Sequence, residues 1–270
     1  MSSLAKMLGV LDLFDEHRAG ITLEDVVQRT QASRATAYRY LQALTQAGLV
    51  VPAAGGTYGL GPRIVEFDRL LRIADPLLTR ARSPIRALSA TLEANVLLCG
   101  YYGDKVLCVD IVWPDQSVAS FYERGRPMPM FRGAMAKTIL AHLSPYQLRN
   151  LMARHGQDIR QAGLGDDWAA FRRTMSRLRR AGIVITHGEV VPDLVGLGAP
   201  LFNPEGGVLG SVVLAIPAAR LAADGEETYA TALAATAARI NLSLARAAGA
   251  PATAEPSRPP RSRTAAGGEK

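Results

Sequence analysis

At 270 residues the chain is longer than one ordinary domain and comfortable for two, and its 48% hydrophobic content is enough to build real cores. No apolar run reaches the length of a membrane span. The N-terminus, with Lys6 its one base before Asp12 and its apolar residues spaced apart, does not read as a secretory leader, so the chain is expected to work in the cytoplasm. A net charge of +7 and a pI near 9.7 favour an anionic partner.

Taken in chain order, Leu4, Met7, Leu8, Leu11 and Phe14 recur at helical spacing and predict a first amphipathic helix, capped by Ser2 or Ser3 and closed by Arg18-Ala19-Gly20. Ile21 reads as a short strand. Thr22 is a good N-cap for a second helix whose apolar face is Leu23, Val26 and Val27. After a turn at Gln31-Ala32, Ser33 caps a third helix carried by Ala37, Tyr40, Leu41 and Leu44, and Ala47-Gly48 ends it. Leu49 to Val51 and Thr57 to Leu60 flank a glycine turn and predict a hairpin. Three helices followed by a hairpin within sixty residues is the layout of a winged helix-turn-helix.

Residues 61 to about 80 predict a connecting helix that Pro76 kinks or restarts, with a further helix from Pro84 to Ala94. The pattern then changes. Val96 to Tyr102 and Lys105 to Trp113 read as a hairpin turned at Gly103-Asp104, and Ser117 to Tyr122 as a third strand. Helices are predicted over Gly133–His142, Pro145–Arg154 and Asp166–Ala181. A strand follows at Ile183–Thr186, then a hairpin of Leu197–Phe202 with Val208–Ile216, then a long helix over Ala219–Ala247. Mixed strands and helices on this scale predict an α/β domain with an antiparallel sheet. The expected organisation is therefore a two-domain α/β chain: a mainly α reader over 1–61, a linker helix over 62–80, a sensing domain over 81–248, and a disordered tail over 249–270 that lacks leucine, valine, isoleucine and aromatic residues.

The third helix carries the expected DNA contacts. Its first turns enter the major groove in this motif, where Arg34 and Arg39 can reach guanine edges or phosphates, Thr36 and Tyr38 can hydrogen-bond, and the small Ala35 allows close approach. Tyr58 on the wing is a further candidate. No acidic residue lies between Asp25 and Glu66, while Arg29, Arg34, Arg39 and Arg63 do, so this stretch can approach phosphates without repulsion. The run Arg172, Arg173, Arg177, Arg179 and Arg180 reads as a solvated helix face, with a second DNA contact as the alternative.

Enzyme signatures are missing from the sequence. It has no phosphate-binding loop, nucleophile elbow or paired-carboxylate constellation, and Gly59-x-Gly61 and Gly206-Gly207-x-x-Gly210 lie at hairpins rather than strand-to-helix turns. Cys99 and Cys108, in apolar β-like runs, read as buried reduced thiols. His187 and Glu189 lack a third ligand, so neither a metal nor another cofactor is expected.

With these elements placed, the sequence resembles the isocitrate lyase regulator (IclR) family of bacterial one-component regulators from about Leu4 to Ala247. Ser33-Arg34-Ala35-Thr36 through Leu44 resembles the family's recognition helix, and Thr57-Tyr58-Gly59-Leu60-Gly61 its Tyr-x-Leu-Gly wing. Gly125 through Lys137 resembles the Leu-Pro loop and Gly-Lys helix. Arg180-Ala181-Gly182-Ile183 through Glu189, with Gly198-Ala199-Pro200-Leu201-Phe202, resembles the Gly-Tyr … Glu … Ala-Ala-Pro-Val-Phe segment. The resemblance implies a GAF-like effector domain, dimers formed through the DNA-binding half and often tetramers, a palindromic double-stranded operator, and work at the bacterial nucleoid.

It also implies an effector pocket among the Leu-Pro loop, the Gly-Lys helix and the late strands: Met130, Phe131, Arg132, Gly133, Ala134, Glu189, Gly196, Val213 and Ala215. Several positions depart from the family. Gly196 stands where a cysteine is frequent, Thr186 where an acid is, Val213 and Ala215 where serines are, and Phe131, followed by Arg132, where the family has a histidine. A roomier, less polar pocket is expected, suited to an aromatic or otherwise bulky organic acid. Arg132 would hold the carboxylate. Its alternatives are an internal pairing with Glu189 or a solvent-facing role.

Overall fold

A computed structural model describes residues 2–115 and 122–248. The expected tail, and all of the expected third strand except Tyr122, lie outside the described residues. Tyr122 itself is in coil. The chain divides into two compact units between Thr79 and Arg80.

The first unit opens with α1 (Ser3–Leu8), α2 (Leu23–Thr30) and α3 (Arg34–Gln46). The single first helix expected to Phe14 is cut short. Gly9 ends it at its C-cap, and only a one-turn 3-10 segment, Leu11–Leu13, follows. Glycine's backbone freedom makes it a poor helix interior residue. Thr22 caps α2 in a reciprocal box: its side chain accepts from the Asp25 N–H, and Asp25 accepts from the Thr22 N–H at 2.8 Å. Gln31, left-handed at φ 52°, turns the chain, and Ser33 caps α3 by accepting from Thr36 N. Strands β1 (Gly20–Ile21), β2 (Val50–Ala53) and β3 (Thr57–Leu60) form an antiparallel sheet in the order β1-β3-β2, with Ile21 opposite Tyr58 and Pro52 opposite Tyr58 on the other side. Val10, Ile21, Val26, Ala37, Leu41, Leu44 and Val50 close the core.

Of the two expectations at Pro76, a kink or a new helix, the second holds: α4 (Arg63–Ala74) stops and α5 (Pro76–Leu92) starts anew. Asp75 is extended, and its carboxylate accepts from Leu77 N at 2.7 Å, leaving proline in the first turn, where its missing N–H costs nothing. Pro84 does not begin the second helix; it lies inside α5.

The second unit is built on a six-stranded antiparallel sheet: β4 (Asn95–Tyr102), β5 (Lys105–Val112), β6 (Pro127–Met128), β7 (Val184–His187), β8 (Leu194–Phe202) and β9 (Val208–Pro217), in the order β6-β5-β4-β9-β8-β7. Helices α6 (Gly133–Ala141), α7 (Pro145–Gln161), α8 (Trp168–Ala181), α9 (Ala218–Asp224) and α10 (Glu226–Ala248) complete it. The single C-terminal helix expected over Ala219–Ala247 is broken at Gly225, whose φ of +85° no helix interior accepts. Helix α6 is almost wholly buried and packs on β8 and β9. Among the described residues no helix is long and apolar enough to cross a membrane.

Candidate functional sites

On α3 the buried and free faces separate cleanly. Ala37, Tyr40, Leu41 and Leu44 point into the unit, while Arg34, Ala35, Tyr38 and Arg39 are exposed and Thr36 is partly so. Tyr38 is 52% exposed and therefore free to meet a partner. The free face is already ordered. Arg39 Nη2 donates to Thr36 Oγ1 at 3.1 Å, and that oxygen lies 3.0 Å from Ser33 Oγ. Arg34 pairs with Glu24 at the start of α2, a partnership the sequence pattern did not reveal because the two are ten residues apart across a turn. Both side chains are well exposed, so the pair is weak and a phosphate can replace the carboxylate. Tyr58 is half-buried against the wing core, with less freedom than the α3 residues.

The second unit holds an inward site. Of the nine residues expected to line it, Gly133, Ala134, Glu189, Gly196, Val213 and Ala215 do so, joined by Leu97, Tyr122, Met135, Thr186, Val190, Val191, Leu194 and Val195. Met130, Phe131 and Arg132 do not. Phe131 is buried against the core beside the His155 ring, centroids 5.7 Å apart, and Arg132 is exposed at the N-cap of α6. The internal Arg132–Glu189 pairing is not formed. Glu189 instead accepts from Gly133 N at 2.9 Å and from Lys137 Nζ at 2.5 Å, neutralising a lysine that is only 12% exposed.

The expectation of a roomier pocket is corrected too. The enclosed volume is about 20 Å³, space for one water. Two close approaches explain it. A Cβ on Gly196 would sit 3.1 Å from Ala134 Cβ and 3.2 Å from Thr186 Oγ1, so the cysteine-sized space is taken by α6 itself. Gly133 has φ +79°, and a Cβ there would meet Val190 Cγ2 at 2.7 Å. Val190 and Val191, on the loop between β7 and β8, thus fill the space. The run Glu189-Val190-Val191 after an alternating strand was the available signal for them. Tyr122 adds a hydroxyl, its pKa pushed up to about 12 by burial first and then by the nearby cysteines.

Cys99 and Cys108 face each other across β4 and β5, both buried and free. The Cys99 thiol is pushed well up, first by its hydrogen bond with Cys108 and then by burial. His187 is exposed and Glu189 is engaged by Lys137; among the described residues no group of three metal-ligating side chains converges.

A reading helix facing outward in one unit and a lined pocket in the other agree with what the chain matches. The IclR helix-turn-helix domain matches residues 3–53, and the bacterial transcriptional regulator IclR C-terminal domain matches residues 74–242. The chain belongs to the IclR family. It is 30% identical over 200 residues to the HTH-type transcriptional regulator Rv1719 of Mycobacterium tuberculosis, spanning 73% of this chain and 76% of that protein. Its fold matches a solved IclR-type regulator from Silicibacter with a TM-score of 0.76 at 24% identity, covering 90% of this chain and 96% of that one. It also matches an IclR homologue from Microbacterium hydrocarbonoxydans complexed with 4-hydroxybenzoate, TM-score 0.71 at 22% identity, covering 91% and 100%. Membership makes this IclR protein a DNA-binding transcriptional regulator, not an enzyme.

Proposed function

We propose that the protein binds a palindromic operator as a dimer or a dimer of dimers, in the cytoplasm at the nucleoid, and changes its affinity or conformation on taking up a small organic acid. Residues 1–61 read DNA, 62–80 transmit and 81–248 sense. The observation that carries the reading is the α3 face: Arg34, Ala35, Tyr38 and Arg39 are exposed, have no part in the core, and stand on a helix whose other face is fixed by four buried side chains. With Thr36 and Tyr58 they form the operator contact.

For the effector, apolar walls from Leu97, Val213 and Ala215 favour a ring or branched chain. Arg132, exposed beside Gly133 and outside the lining, meets the carboxylate only if the movement that admits the ligand also turns it inward. The complex of a neighbouring IclR homologue with 4-hydroxybenzoate supports an aromatic acid. An apolar cavity of about 150 Å³ holds benzene, so a ring enters only when the 188–193 loop withdraws Val190 and Val191. Gly188 at φ +60° and Asp193 at φ +63° bracket that loop and supply its pivots. An effector that prefers the withdrawn loop shifts the equilibrium by its differential affinity for the two states.

The test is an anisotropy titration on the gene's own upstream DNA at several salt concentrations, with and without a panel of aromatic carboxylates. Tight binding with a large excess over scrambled DNA, weakened by Arg34→Ala or Arg39→Ala and altered by one acid in the panel, is the expected result. Equal, salt-driven binding to both DNAs would overturn it.

A further inference from the structure

Helix α8 carries five arginines and no acid between Trp168 and Ala181. Phe171 and Met175 are buried and Leu178 packs behind them, so this side faces the unit's core. The opposite face presents Arg172, Arg173, Arg177 and Arg180, all exposed. Of the five, only Arg179 is engaged, donating to the carbonyls of Ala141 at 2.6 Å and Leu143 at 3.1 Å. The other four have no carboxylate or hydrogen-bond partner among the described residues. The helices packed against α8 do not compensate them. Lys137 is the one charged residue of α6, and Asp158 of α7 sits beside His155.

Such a face is unfavourable on its own terms. Arg173 and Arg177 are like charges at i,i+4, and Arg177 and Arg180 at i,i+3, spacings that oppose the helix. The helix dipole welcomes cations only near the C-terminus, which covers Arg180 but not Arg172 or Arg173. The four guanidinium groups span about 12 Å along the axis at about 1.5 Å per residue. Neighbours three or four residues apart are separated by about 4.5–6 Å along the axis, inside one screening length of about 8 Å, so their fields overlap along the face. The face is open, and the hydroxyls of Thr174 and Ser176 lie among the arginines. Arg149, stacked on the Trp168 ring at 5.1 Å, extends the positive surface.

We infer that this face of the effector unit is a second DNA-backbone contact. The partner matching it is a fixed row of phosphates, which arginine forks grip without reading sequence. Nothing in the operator reading requires this contact, because that reading places every DNA contact in the first unit.

Two variants of the full chain test it on a labelled 60-base-pair duplex of mixed sequence, by anisotropy from 20 to 200 mM KCl. Each neutralised phosphate contributes about 0.9 to the slope of log K against log salt. The quadruple variant Arg172→Gln/Arg173→Gln/Arg177→Gln/Arg180→Gln, removing four such contacts, is expected to flatten that slope by about 3.6 and to bind at least tenfold more weakly at 50 mM. Its tryptophan-monitored melting should not change. Arg34→Ala/Arg39→Ala should keep the α8 share of the slope. An unchanged slope and affinity in the quadruple variant overturns the inference. So does a variant that keeps its DNA binding but loses binding to polyglutamate, which would assign the face to an acidic protein. Because the duplex contains no operator, either failure leaves the operator reading standing.

Discussion

The two units place in opposite ways the residues proposed to work. In the first, the proposed DNA-contact residues point outward from a helix pinned by Ala37, Tyr40, Leu41 and Leu44. In the second the pocket-lining residues point inward, and the pocket's shape is set by residues from α6, β4, β8, β9 and the 188–193 loop at once. An outward site needs a correct helix and a correct face, both of which are periodic properties of a short sequence. An inward site needs the packing of distant segments. The outward site should therefore fail one residue at a time with the fold intact, whereas the inward site should fail through the fold.

The largest expected effect sharpens that contrast. Arg39→Ala removes a guanidinium held ready by Thr36, and Arg34→Ala frees Glu24 to repel phosphate as well as deleting a donor. Each should cost about 1–3 kcal/mol of specific operator binding, with thermal stability unchanged. Titration on operator and scrambled duplexes, alongside a melting curve, checks both halves. A loss of melting temperature matching the loss of affinity would erase the distinction between the two sites.

Gly133→Ala probes the inward site. The left-handed φ of Gly133 and the 2.7 Å approach of Val190 Cγ2 to a Cβ there combine strain with overpacking, and about 1–3 kcal/mol of destabilisation is expected. Both tryptophans, Trp113 and Trp168, lie in the second unit, so their fluorescence reports its melting alone. A lowered second-unit transition with nonspecific DNA binding retained is the expected result. Removing Val190 as well, in Gly133→Ala/Val190→Ala, should recover part of the loss. Recovery of nothing would mean that strain rather than the loop contact dominates.

Smaller again is Thr22→Ala, which deletes one side of the capping box at α2 and should cost about 1 kcal/mol, confined to the first unit. Thr22→Ser, which keeps the oxygen, should restore most of it. Hydrogen exchange at the α2 amides is the measurement, since the first unit contains no tryptophan.

How much of this was legible follows from the same contrast. The three helices, the wing and the free face of α3 were readable because caps such as Thr22 and Ser33 and a 3.6-residue period are local signals. The two long helices expected at the chain's ends were overdrawn, since apolar spacing continues through Gly9 and Gly225 while the backbone does not. Pro84 misled in the other direction: proline marks a helix start more often than it survives inside one, and here α5 runs through it. In the pocket, six of the nine expected residues line it, and five of those six stand on α6, β8 or β9, whose register a helix or sheet fixes; Glu189, on the loop after β7, is the exception. Met130, Phe131 and Arg132 were expected in the lining and are not there, because they sit where a loop meets α6, and one backbone rotation decides whether a side chain points in or out. The pairing of Glu189 with Lys137, fifty-two residues apart, has no local signature at all.

The smallest expected effect separates the units by acid. His142 in the second unit is held below the ordinary histidine value, chiefly by burial and against the pull of its contact with the Thr138 carbonyl at 2.9 Å. A histidine with a lowered folded pKa is protonated more readily when unfolded, so its contribution is present above about pH 6.5 and is lost as pH falls below it. Asp25 in the first unit is held below the usual carboxylate range, first by the Thr22 N–H, then by its hydroxyl. That contribution persists until pH falls below the unfolded value of about 3.9, and is then lost through the lowered folded one. Between pH 7 and 5, then, the tryptophan-monitored transition should move down while the α2 amides keep their protection. His142→Phe, which keeps an aromatic ring against Phe202 at 5.1 Å, should flatten the first response and leave the second untouched. If both units weaken together over that range, the acid response arises from a group shared between them rather than from His142.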